Sequence, residues 1–165
     1  MNKGDHVLNA LLLGIGIGVL LDPSLSVDTL STIGMVTIPV VVGALFPDVD
    51  TAFGTHRQTL HNALVLAGFV LFPVFYGNLY YVWIGIATHF VLDLLGTQAG
   101  IAVLYPYDGM FDVPVGVNVD SNVATLVTVL VTGVELVAVA GLIRFGYGDL
   151  LRAPALWDVL VGVLP

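Results

Sequence analysis

Four histidines and a small set of aspartates carry most of the chemistry this sequence offers. P-D-V-D runs from Pro47 to Asp50, H-R-Q-T-L-H from His56 to His61, and H-F-V-L-D from His89 to Asp93, with His6 near the start. Asp48 and Asp50 follow a proline that bends the chain and bring two carboxylates to one rim. Such a pair supplies oxygens to a divalent cation, or one binds the ion while its neighbour orients a histidine. His56 and His61 are five apart and would diverge by about 140° on a continuous helix. They meet at one ion only if His56 sits on a loop or cap and His61 in the first turn, a break suited to Gly54 and Thr55, with Thr55 the expected N-cap. His89 and Asp93 are four apart and share a helical face, in an apolar stretch where an unpaired charge is costly. Arg57 has the planar fork that clamps a phosphate or carboxylate; pairing with Asp48 or Asp50 is its structural alternative. The absence of cysteine removes thiolate ligands, cysteine nucleophiles and disulfides, so any metal must be held by His, Asp or Glu.

The elements that must position these residues are apolar. Of the 165 residues, 58% are hydrophobic and 10% charged, against about 25% charged in an average soluble domain. The expectation is an all-α integral membrane bundle of about five transmembrane helices, a single membrane-embedded domain over residues 1–165, in the cell membrane. The stretches run Val7 to Leu21, Thr29 to Phe46, Leu60 to Tyr76, Leu79 to Leu95 and Val123 to Ile143, each near the roughly 20 residues a bilayer core requires. The first reads as a retained helix, and its Gly14 and Gly18 have the spacing of a close helix approach. A long loop, Gly96 to Asn122, separates helices 4 and 5, and an apolar tail from Ala155 to Pro165 is too short to span. Counting crossings puts the N-terminus and the loops after helices 2 and 4 on one face, which receives all four histidines. Glu135, the single glutamate, lies midway along helix 5, where a carboxyl is either functional or hydrogen-bonded to a neighbouring helix. A net charge of −8 excludes nucleic acid, because nothing here neutralises a row of phosphates. Eleven Asp and a single Lys read as a halophilic, archaeal-like composition.

The order P-D-x-D, H-R-x-x-x-H, H-x-x-x-D and then G-I-x-x-L-Y-P resembles the inner-membrane-associated metal-dependent hydrolases, the group with a LexA-binding bacterial member. Here the matching residues are Pro47, Asp48, Asp50, His56, Arg57, His61, His89 and Asp93, then Gly100, Ile101, Leu104, Tyr105 and Pro106. His6 matches an early histidine, and Thr132 to Glu135 match a late T-G…E string more weakly. The family often has T-H-S where this chain has Leu60, His61 and Asn62. The resemblance covers roughly residues 6 to 107.

Together these point to a membrane-bound hydrolase with a divalent transition metal (zinc, manganese or iron), held among His6, Asp48, His56, His61, His89 and Asp93. Asp50 is the expected general base and Arg57 the group that steadies developing negative charge. A site at the membrane rim implies an amphiphilic phosphoester. The competing readings are a proton- or ion-coupled transporter, which needs a column of ionisable groups, and a non-catalytic metal-stabilised scaffold.

Overall fold

Residues 2–96, 99–107, 109–113 and 122–151 are described by a computed structural model of the chain. Among them are five α-helices: α1 Lys3–Leu21, α2 Val27–Leu45, α3 Ala63–Tyr76, α4 Val82–Gly96 and α5 Asn122–Leu142. The expected Ala155 to Pro165 tail lies outside the described residues, as does part of the loop between α4 and α5. Among the described residues of that loop, an antiparallel bridge joins Ile101 to Phe111.

Side-chain chemistry sets the helix ends. Asn2 and Ser26 cap α1 and α2 in capping boxes closed by Asp5 and Thr29, which satisfies first-turn N–H groups. Pro47 cannot continue α2, and the chain tightens into a 3-10 turn over Pro47–Ala52. Gly77, at φ 66, ends α3 in the left-handed conformation. Counted through their terminal turns, Lys3–Leu21, Val27–Ala52 and Val123–Tyr147 are long and apolar enough to cross a membrane. α3 and α4, at 14 and 15 residues, are shorter than the apolar runs in the sequence. The first residues of the run at Leu60 are spent on the loop and on the cap Asn62 instead.

α1 packs against α2 and α5, α2 against α4, and α3 lies at the edge against α4. The α1–α2 crossing uses the anticipated glycines, since a Cβ on Gly14 or Gly18 would lie 2.6 Å from the Cα of Thr37 or Ile33. A second close crossing, at Gly43 and Gly85, joins α2 to α4. There a Cβ on Gly43 would strike the Val82 carbonyl and one on Gly85 the Val40 carbonyl. Large apolar side chains face outward, and polar ones are buried beside an apolar core. Ile38 and Phe75 are 68% and 72% exposed, while His6, Asn9, Asp50, His61, His89 and Asp93 are buried. Such an exterior suits hydrocarbon, where interfaces are built from small residues and polar contacts rather than from a hydrophobic core.

Gly85→Ala is expected to lower the thermal unfolding midpoint in detergent, with a cost of about 1–3 kcal/mol from overpacking. Gly68→Ala, where nothing stands within 4 Å of the added Cβ, should leave it unchanged or raise it.

Candidate metal centre

Four segments deliver the site. The start of α1 carries His6, the 3-10 turn after α2 carries Asp48 and Asp50, the loop before α3 carries His56 and His61, and the last turns of α4 carry His89 and Asp93. The loop is held in place from both sides. Thr55 is not the N-cap: its backbone N–H donates to Thr59 Oγ1 at 2.9 Å, and Asn62 caps α3 by accepting from Val65 N at 3.0 Å. The Asn62 amide also donates to the carbonyls of Gln58 (3.1 Å) and Thr59 (2.9 Å). One hydroxyl hydrogen could not serve both, so a serine at this position would leave one carbonyl without the donor that Asn62 supplies. The loop between α4 and α5 braces the other side, through Ala102 N to Arg57 O at 2.9 Å and Ala63 N to Val103 O at 2.8 Å.

Hydrogen bonds determine which ring atoms face inward. His89 donates from Nδ1 to the Ala44 carbonyl at 2.6 Å, which in the neutral ring leaves Nε2 as a lone pair. His61 donates from Nδ1 to Asp50 Oδ2 at 2.9 Å, with the same result. The two Nε2 atoms face each other at 3.1 Å, with no hydrogen left to share. Asp93 Oδ2 completes a triangle, 3.5 Å from His61 Nε2 and 3.6 Å from His89 Nε2. Two atoms each about 2.0–2.1 Å from a tetrahedral zinc ion stand about 3.3–3.4 Å apart. The three edges bracket that spacing, so the donor set can hold a metal ion. Asp48 Oδ1 lies 3.7 Å from His89 Nε2, on the more open side.

The remaining residues surround this triangle. Asp50 is fully buried and accepts from His56 Nδ1 at 3.0 Å as well as from His61. His6 lies 3.2 Å from Asp93 Oδ1 through Nε2 and stacks on His89 with centroids 3.8 Å apart. Its buried Nδ1 has no hydrogen-bond partner among the described residues. His6, His89 and Asp93 form one potential ligand group and Asp48, His56 and His61 a second, each with donor atoms within 4.8 Å of one another. Burial, reinforced by neighbouring His89, pushes the His61 imidazole below its ordinary range although Asp50 pulls it up. A neutral ring with a free lone pair is the form that binds metal. Arg57 is half-buried beside His56, its backbone left-handed at φ 66, a conformation that costs roughly 1–2 kcal/mol.

All eight sequence-level candidates therefore lie in or beside one cluster, and the seven His and Asp side chains meet within it. Two contributions were not anticipated. The Ala44 carbonyl carries no side-chain signal at all. Asn9 and Thr88, which bond Glu135, could have been found, because Asn9 follows His6 by one helical turn and Thr88 adjoins His89. No family model, curated protein or solved structure matches the chain.

Asp50→Asn should weaken zinc binding by about 10–100-fold while the protein stays folded, because an amide offers one acceptor oxygen and turns its NH2 toward the N–H of the other imidazole. Competition with a chromophoric chelator measures this. Wild-type affinity within twofold of the variant's would remove Asp50 from the role.

Proposed function

We propose that the protein is a membrane-embedded, metal-dependent hydrolase acting on amphiphilic phosphoesters, as the resemblance to the inner-membrane-associated hydrolases implies. One observation carries the reading: two histidine lone pairs and a carboxylate oxygen face one point at the spacing of metal ligands. Helices long and apolar enough to cross a bilayer support the location. Zinc suits the imidazole donors, while manganese or iron suits the carboxylates.

His61 Nε2, His89 Nε2 and Asp93 Oδ2 are assigned as the inner ligands, with Asp48 Oδ1 beside them. Such an ion lowers the pKa of a bound water and polarises a phosphoryl oxygen. Asp50 was the general base expected from the sequence. Its oxygens face the His56 and His61 N–H groups, and we assign it to holding those rings in orientation. Asp48, 14% exposed in its side chain, is the carboxylate placed to take a proton from water on the open side. Arg57, on the same loop, is assigned to the anionic phosphoryl group, which its fork meets through two hydrogen bonds.

Metal analysis of detergent-purified protein, paired with phosphodiester hydrolysis in mixed micelles, tests the reading. Asp93→Ala and His61→Ala should lose most of the metal and the turnover together, and stripping with a chelator should abolish turnover until metal is restored. Fully active metal-free protein would overturn the assignment. Arg57→Lys should retain metal yet turn over more slowly, by up to about 10²-fold, because an ammonium cannot reproduce the two-donor fork. Unchanged turnover in that variant would remove Arg57 from the catalytic set.

A further inference from the structure

A second polar cluster, apart from the metal ligands, joins three helices. Asn9 on α1 donates from Nδ2 to Thr132 Oγ1 and to Glu135 Oε2 on α5, both at 2.9 Å. Thr132 passes its own hydrogen to the Thr128 carbonyl at 2.8 Å. Thr88 on α4 places its hydroxyl oxygen 2.6 Å from Asn9 Oδ1 and 2.5 Å from Glu135 Oε1.

The hydrogens in this set can be counted. A threonine hydroxyl carries one, yet Thr88 makes two short contacts to acceptor oxygens. If its hydrogen goes to Asn9 Oδ1, the contact with Glu135 has none. If it goes to Glu135, the Asn9 carbonyl faces a hydroxyl lone pair instead. Rotating the Asn9 amide moves the deficit without removing it. Nδ2 would then serve Thr88, while Oδ1 would meet Glu135 Oε2 and a Thr132 hydroxyl already committed to Thr128. One further hydrogen on the carboxyl closes the network: Glu135 Oε1–H donates to Thr88, Thr88 donates to Asn9, and Asn9 donates to Oε2 and to Thr132.

We propose that Glu135 is a neutral carboxylic acid, a proton-binding site inside the helix bundle, and that it is open to a membrane-soluble carbodiimide. Access comes from an apolar cavity of about 220 Å³, bounded by Leu13, Ile17, Trp83, Ala87 and Val139, which Glu135 and Thr88 also line. Among the described residues, no basic side chain lines that cavity. The titratable groups on the helices packed around Glu135 are Lys3, Asp5 and His6 on α1 and His89 and Asp93 on α4; its oxygens meet the neutral Asn9 and Thr88. In the reaction, the acid's proton moves to a carbodiimide nitrogen while the carboxyl oxygen bonds the central carbon. The acyl group of this O-acylisourea then shifts from oxygen to nitrogen and yields a stable N-acylurea. Both reactants are retained whole, with no leaving group and no oxidant.

The test uses the full chain in lipid at neutral pH and reads the same with or without bound metal. The infrared spectrum of the wild type should contain an un-ionised carboxyl band that is lost in Glu135→Gln. That variant should keep the wild-type thermal midpoint, because a primary amide donates and accepts as the acid does, whereas Glu135→Ala should lower it. Dicyclohexylcarbodiimide should leave one adduct on the Glu135 peptide and none at that position in the Gln variant. A carboxylate band in place of the acid band, or a Gln variant as destabilised as the Ala variant, would overturn the proposal, as would an unmodified Glu135 peptide.

Discussion

Two imidazole lone pairs held 3.1 Å apart, His61 Nε2 against His89 Nε2, are the constraint on which the rest of this bundle turns. Lone pairs do not attract one another, and burial takes away the water that would otherwise separate them. The chain holds them there by committing each ring's other nitrogen, one to the Ala44 carbonyl and one to Asp50. A cation seated between them would recover the cost of that arrangement. If a metal ion occupies this centre, its binding would then be coupled to folding.

Holding those rings requires the helices to approach closely. The carbonyl that fixes His89 belongs to Ala44, one residue beyond Gly43, and Gly43 and Gly85 form the crossing where α2 and α4 nearly touch. A side chain at either glycine would push the Ala44 carbonyl away from the ring it orients. The glycines therefore act on the candidate metal centre through backbone position, at residues with no functional groups of their own.

Much of this was legible in the sequence because hydrophobic length and residue type are local signals. The apolar stretches match the helices to within a few residues, and the crossing count places every histidine on one face, where they do meet. What the sequence did not reveal depends on the partner across the gap. Thr55 looked like the cap because a hydroxyl beside a glycine usually is, but the loop needed two donors and one acceptor at once, which Asn62 supplies. Asp50 looked like a base because a carboxylate beside a metal often is one. Its two oxygens are engaged by rings six and eleven residues further along, which spacing alone does not disclose. The α2–α4 glycines sit in different helices, so no periodicity within one segment links them.

The order of the polar contacts along the chain bears on how the protein enters a membrane. α4 carries His89 and Asp93 and is only 15 residues long, a weak candidate for insertion alone because charged groups are expensive in hydrocarbon. Yet His6, the Ala44 carbonyl and His61, which meet those two side chains, are all synthesised before it. The same holds for α5, whose Glu135 finds Asn9 and Thr88 already made. If the chain inserts into a membrane as it is made, each of these later helices would meet polar partners that are already in place, and a chain whose α1 were removed would leave several polar groups of α4 and α5 unmatched.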